Sequence, residues 1–211
     1  MQTIIKNEPI FFKSAIKKVK QPKISKAWED ENIKKIKSKL REHIIKEQQN
    51  LCAYCEIKLE HLDRLSIDHF QKRDIFPELT LEYNNLFVSC ISDNRCENYK
   101  DKLSLTKENY NKIIHPVFEN PEDYFEYDLG GKIIPKENLN KFAYEKAKFT
   151  IETFNLNDRK LVEDRKKIII SLIKVLEYFN SWEEIRDNGF DFYFSLLRWI
   201  FKIKNSIKAN Q

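Results

Sequence analysis

All four cysteines of this 211-residue chain fall within 45 positions and in two pairs, Cys52-Ala-Tyr-Cys55 and Cys90-Ile-Ser-Asp-Asn-Arg-Cys96. Two short turns that each deliver two sulfurs suit a tetrahedral Zn²⁺ ion with Zn–S bonds of about 2.3 Å, and the metal then closes the long loop between the pairs. With all four positions filled by thiolates there is no room for water, so such a zinc ion is structural and the chemistry has to lie elsewhere. The competing readings are four unrelated buried thiols or a redox pair at Cys52 and Cys55. The clustering argues against the first, and the absence of a thioredoxin-like βαβ context argues against the second. Met1-Gln-Thr-Ile-Ile-Lys6 carries no signal-peptide pattern. The longest apolar stretch, Ile168 to Leu176, is broken by Lys174 and falls short of the ~18 residues of a membrane span. The expectation is a soluble, cytoplasmic protein, whose reducing surroundings favour metal binding over disulfides.

Charge and punctuation divide the chain. Residues 1–50 carry a net charge of +7 and residues 51–100 a net charge of −3, although the whole chain is only +5. The basic clusters Lys17-Lys18-Val19-Lys20 and Lys34-Lys35 could follow a phosphate backbone, or they could belong to a solvated helix face or mobile arm. After Pro22 and a Ser25 N-cap, Ile33, Ile36, Leu40 and Ile44 recur at helical spacing, which predicts a helix over about residues 26–48. Leu65 to Phe70 and Leu86 to Ser89 read as short strands. The segment Tyr124 to Ile134 reads as a hairpin around Gly130-Gly131. Leu161, Arg165, Ile168, Leu172, Val175/Leu176 and Phe179 mark a long amphipathic helix, and Phe190 to Ile203 marks a final one. Only three glycines are present, Gly130, Gly131 and Gly189. That excludes a G-x-G-x-x-G turn or a Walker loop, so any nucleotide hydrolysis must come from another protein.

Between the cysteine pairs lie Ile67-Asp68-His69-Phe70 and Asn85-Leu-Phe-Val-Ser-Cys90, and the last cysteine opens Cys96-Glu97-Asn98-Tyr99-Lys100. Adjacent strand residues point to opposite faces, so one of Asp68 and His69 can hold a metal while the other addresses a water. Asp68 with Asn98 or Glu97 is an oxygen-rich set suited to a hard cation such as Mg²⁺. His69 can be neutral at cellular pH and take a proton from water. His43, His61 and His115 have no such context and read as structural or solvent-facing.

This arrangement behind a C-x2-C resembles the HNH endonuclease motif. Together with Ile114-His-Pro116, Asn120-Pro121, Gly131-Lys-Ile-Ile-Pro135 and Leu156-Asn157, it resembles more narrowly the HNH nucleases of the Septu anti-phage system (PtuB-type) and their retron-associated relatives, over roughly residues 35–165. The resemblance implies an α+β fold: a zinc-stapled ββα-metal module embedded between N-terminal and C-terminal amphipathic helices. Its boundaries are 1–50 for the basic arm and helix, 51–104 for the HNH module, 105–137 for a Pro-rich loop and hairpin, and 138–211 for the C-terminal helices. It implies His69 as general base, Asp68 as a metal-ligating carboxylate, and Asn85 as a brace of the loop between the strands. The second metal ligand falls at Asn98 or Glu97, with Asn98 preferred, and Lys100 and Arg73 are nucleic-acid contacts. The departures from the family pattern are the wide Cys90–Cys96 gap and the lack of a His at the third motif position.

The function implied is a Mg²⁺- or Mn²⁺-dependent endonuclease acting on DNA. It would be the nuclease effector of an anti-phage complex with an ABC/SMC-like ATPase (PtuA-type), with a retron reverse transcriptase and its nucleic acid as a further partner. The alternative is a zinc-stabilised module that binds nucleic acid or protein through its basic N-terminal segment without cleaving.

Overall fold

The helical spacing of Ile33, Ile36, Leu40 and Ile44 places three of these residues in the core, but not along one helix. In the computed structural model, which describes residues 1–21, 23–61 and 65–209, the expected helix over 26–48 is three pieces. These are a 3₁₀ turn at Ile24–Glu29, helix α2 (Glu31–Lys34) and helix α3 (Lys37–Glu47). Asp30 causes the first break. Its backbone is extended, and its carboxylate accepts from the N–H of Asn32 at 2.9 Å and of Lys20 at 3.1 Å, so it caps a new helix instead of continuing the old turn. Pro22 lies outside the described residues, as does the Ser25 side chain. Ahead of these, helix α1 (Ile10–Ile16) buries Phe12 and Ala15. Met1 and Ile4 are buried as well, so the segment expected to be a basic arm supplies part of the core.

At the first cysteine pair the backbone makes a knuckle. Leu51 and Lys58 form an antiparallel bridge, the Cys52 N–H donates to Ile57 O at 2.9 Å, and Glu56 turns the chain with φ +61°. Strand β1 (Ile67–His69) pairs antiparallel with β2 (Leu86–Val88), Asp68 opposite Phe87 and His69 opposite Leu86. These are the two strands the sequence predicts. The side-chain amide of Gln48, at the end of α3, bonds both the N–H and the C=O of Val88 at 2.8 Å and so anchors β2. Helix α4 (Cys96–Lys102) follows, beginning at the last cysteine.

Beyond a short helix α5 (Lys107–Tyr110), the predicted hairpin forms from β3 (Phe125–Tyr127) and β4 (Ile133–Pro135). Gly131 has φ +89°, and a Cβ there would lie 2.4 Å from the carbonyl oxygen of Val162. The hairpin therefore packs against helix α7 (Arg159–Ile173) through bare backbone. Arg165 of α7 is buried and donates to the carbonyl oxygens of Gly131 and Leu156, which explains a charged residue on an apolar stripe. The long helix predicted through Phe179 ends at Ile173, and Leu176–Tyr178 form a separate 3₁₀ turn. Helices α6 (Lys141–Thr153) and α8 (Trp182–Asp187) complete the set with α9 (Phe194–Ala209), which starts four residues later than the apolar spacing suggests.

These C-terminal helices grip the cysteine region. The N–H of Tyr193 donates to Glu56 O at 2.9 Å, and the N–H of Ser195 to the Glu56 carboxylate at 2.8 Å. The ring of Phe154 stacks on Tyr54 with centroids 4.1 Å apart. One hydrophobic core runs from Met1 through the cysteines to Ile200. Among the described residues no helix is long and apolar enough to cross a membrane.

Candidate metal centre and active site

The four thiols meet. The Sγ atoms of Cys52 and Cys96 are 3.7 Å apart and those of Cys55 and Cys90 3.8 Å apart, all buried and free of disulfides. A tetrahedron with metal–sulfur bonds of about 2.3 Å has edges of about 3.8 Å, so the cluster has the dimensions of a Zn²⁺ centre. Burial raises the Cys52 thiol, but hydrogen bonds from Cys55, Cys90 and Cys96 outweigh it and hold it well below the usual thiol range. Arg95 faces Cys55, Cys90 and Cys96 and is ion-paired with Asp158 at 3.0 Å, so a cation stands ready beside the thiolates. The wide spacing of the second pair is accommodated by Cys96 itself. It enters α4 with φ +58° and its N–H donates to Phe154 O at 2.9 Å, which turns the sulfur toward the knuckle.

Beside this centre opens a cleft of about 300 Å³, whose lining includes Asp68, His69, Glu97, Asp101, Lys72 and Arg73. The carboxylates of Asp68, Glu97 and Asp101 can each bring one oxygen within 4.8 Å of the others. Asp68 is buried at the back. Its Oδ2 accepts from the Tyr54 hydroxyl and from Lys100 Nζ at 2.8 Å, and its Oδ1 accepts from the same ammonium at 2.7 Å. Burial and the charge of Asp68 push the Glu97 carboxyl up to about 7, while Ser66 Oγ donates to it at 2.8 Å. Oxygen donors in this density, one of them reluctant to ionise alone, are a fit for a hard divalent cation.

His69 is held from the other side. Its Nε2 lies 2.9 Å from the carbonyl oxygen of Thr80, and Trp28 packs edge-on at 4.7 Å between centroids. A carbonyl only accepts, so in the neutral ring Nε2 carries the hydrogen and Nδ1 the lone pair. Burial pushes the imidazole down to about 4, which keeps it neutral at pH 7. The loop that presents Thr80 is fixed by Asn85, whose amide accepts from Gln71 N–H at 2.7 Å and donates to Gln71 O at 3.0 Å and Leu79 O at 3.2 Å.

Of the residues singled out from the sequence, the structure brings Asp68, His69, Glu97 and Arg73 to the cleft and Asn85 to the loop behind it. Asn98 is not among the cleft-lining residues. At about 100° of helix rotation per residue, Glu97 and Asp101 lie about 40° apart on one face, while Asn98 falls about 100° from Glu97. Lys100 also differs from expectation. It is fully buried, with its ammonium on Asp68 and on the carbonyls of His69 and Phe70, and has no surface to offer a phosphate. Arg73 is ion-paired with Glu29 at 3.2 Å. Sequence reasoning missed Asp101, Lys72, Trp28 and Tyr54. The i, i+4 step from Glu97 could have found Asp101, whereas nothing local links Tyr54 or Trp28 to Asp68 and His69.

No family model matches the chain. It is 31% identical over 155 residues, 72% of each chain, to a protein of Vibrio cholerae named as an HNH endonuclease of retron Vc95. It is 29% identical over 139 residues to the Septu protein PtuB of Bacillus thuringiensis, covering 64% of this chain and 48% of that one. It is 28% identical over 166 residues to a protein of Escherichia coli named as an HNH endonuclease of retron Ec83, covering 62% and 64%. The chain thus spans about half the length of the Septu relative.

Proposed function

The chain belongs to the family of HNH endonucleases named with retrons and with Septu, and we propose that it is a divalent-metal-dependent endonuclease hydrolysing phosphodiester bonds of DNA. The observation that carries this reading is the pairing of a tautomer-fixed, neutral His69 with a three-carboxylate cluster on the walls of one cleft. In this reading β1, β2 and α4 are the ββα-metal unit, and the thiolate centre is its structural zinc site.

Asp68 and Glu97, with Asp101 beside them, would hold the cation. A Mg²⁺ or Mn²⁺ ion held there would supply Lewis-acid stabilisation of the phosphodiester. His69 takes the proton of the attacking water at Nδ1, since its Nε2 hydrogen is committed to Thr80. Asn85 keeps that acceptor in place, which gives the middle residue of the motif a role without contact to metal or substrate. Lys72 and Arg73, at the rim, offset phosphate charge. Lys100 serves Asp68 rather than the substrate. Kinship with the retron and Septu proteins supports a role in defence against phage, in this reading as the nuclease subunit of a complex with an ABC/SMC-like ATPase.

The test is plasmid cleavage with Mg²⁺ or Mn²⁺ by the parent and by His69→Ala, with and without a co-expressed ATPase from the neighbouring gene. Cleavage by the parent should disappear in His69→Ala while zinc content and melting temperature hold. A His69→Ala protein that cuts at the parental rate removes His69 as the base. A parent that binds DNA but cuts under no condition returns the protein to the class of non-cleaving modules.

A further inference from the structure

Tyr54 is fully buried between the two cysteines of the knuckle, stacked on Phe154. A phenylalanine would fill that space as well, so the hydroxyl needs its own explanation. It donates to Oδ2 of Asp68, fourteen residues away, because a carboxylate only accepts.

The rest of the Asp68 carboxylate is nearly spoken for. A carboxylate offers about four lone-pair sites. Tyr54 and Lys100 take two on Oδ2, and Lys100 takes one on Oδ1. One site on Oδ1 is left. Lys100 alone could grip the carboxylate in more than one rotation of the terminal torsion, because an ammonium is a point charge with three rotatable donors. A phenol hydroxyl on a stacked, immobile ring cannot follow such a rotation.

We propose that Tyr54 is a positioning residue for the cation. Its hydroxyl, delivered by the first cysteine turn, fixes the orientation of Asp68 so that a single Oδ1 lone pair is presented to a divalent ion. The inference rests on the reading of Asp68 as a metal ligand. It also gives the thiolate centre a second task. The first cysteine pair places Tyr54 on Asp68, while Cys96 places Glu97 at the start of α4, so both sides of the carboxylate cluster are set from one hub.

Tyr54→Phe keeps the ring and removes only the hydroxyl. The zinc-loaded full-length chain is titrated with Mn²⁺ and followed by electron paramagnetic resonance, and DNA cleavage is resolved into kcat and KM. Groups that hydrogen-bond a metal ligand typically contribute 10- to 100-fold in affinity or activity. The expected result is Mn²⁺ affinity weaker by about tenfold or more and kcat lower by about the same factor, with zinc stoichiometry intact and KM for DNA within about twofold. Unchanged Mn²⁺ affinity and kcat overturn the proposal. Loss of zinc together with Mn²⁺ also overturns it, because the hydroxyl would then be holding the knuckle and not the carboxylate. If the parent itself takes up no Mn²⁺ in the cleft, the cluster reading fails and this inference with it. Mn²⁺ uptake by the parent with no difference in Tyr54→Phe sinks the inference alone.

Discussion

Glu97 and Asn98 are neighbours in sequence with opposite prospects. Glu97 lies in the cleft with Asp68 and Asp101; Asn98 does not. Glu97→Gln should therefore lower Mn²⁺-dependent kcat/KM by about 10²-fold or more, whereas Asn98→Ala should stay within about threefold of the parent. The reverse order would restore the expectation drawn from the sequence. The Glu97 carboxyl, pushed up to about 7 by burial and by Asp68, adds a pH signature. Below that value the proton occupies the oxygen that a cation needs, so Mn²⁺ affinity should rise by up to tenfold per pH unit as pH approaches about 7 and level off above it. His69, already neutral above about 4, contributes nothing to that limb. Titrations at three pH values check this, and a flat affinity would detach Glu97 from the ion.

Among the elements, α4 and the β3–β4 hairpin do the most with the fewest residues. The first turn of α4 supplies a thiol and a carboxylate, Cys96 to the four-sulfur cluster and Glu97 to the cleft, and one turn later come Lys100 and Asp101. The i, i+4 repeat thus puts one buried pair and one cleft-facing pair on adjacent stripes. The hairpin positions α7 through Gly131. Gly131→Ala forces a side chain into a left-handed residue, costing about 1–3 kcal/mol on its own, and sets the new carbon 2.4 Å from Val162 O and 2.7 Å from Lys166 N. Thermal unfolding should show a drop of several degrees or more. By contrast, a Cβ at Gly189 would stand in open space, and Gly189→Ala should meet only the strain of φ +102°.

For the whole molecule the thiolate centre is the hinge of stability. The knuckle, α4 and Phe154 converge on it, and structural zinc typically contributes about 10 kcal/mol or more. Cys52→Ser, or a strong zinc chelator, should unfold the chain cooperatively, as read by circular dichroism alongside zinc content. Retention of fold and activity without zinc would refute the structural role. Acid should also weaken the fold. Burial pushes His69 and His115 down to about 4 from 6.5, so their unfolded forms bind protons first. Stability from these groups is complete above about 6.5 and falls as pH drops toward 4, at roughly 1.4 kcal/mol per unit for each imidazole. Replacing His115, which packs between Phe70 and Phe118 with centroids 4.5 Å from each, should remove about half of that slope.

The local pieces are legible in the residues alone: the two cysteine turns, the short strands around Asp68-His69 and Leu86-Phe87, the hairpin at Gly130-Gly131, and the resemblance to HNH nucleases. These are legible because turn chemistry, alternation and motif spacing act over a few residues. Tertiary structure decided the rest. It put Glu97 rather than Asn98 on the cleft wall, since helix phase means nothing until the helix is docked. It turned Lys100 inward, because a buried Asp68 needs a counter-charge more than a solvent-facing lysine is needed at the rim. It split the helix over 26–48 at Asp30, whose carboxylate found the N–H of Lys20 across the chain. And it joined Tyr54 to Asp68, a contact between two elements whose meeting depends on how the cysteine knuckle packs against β1.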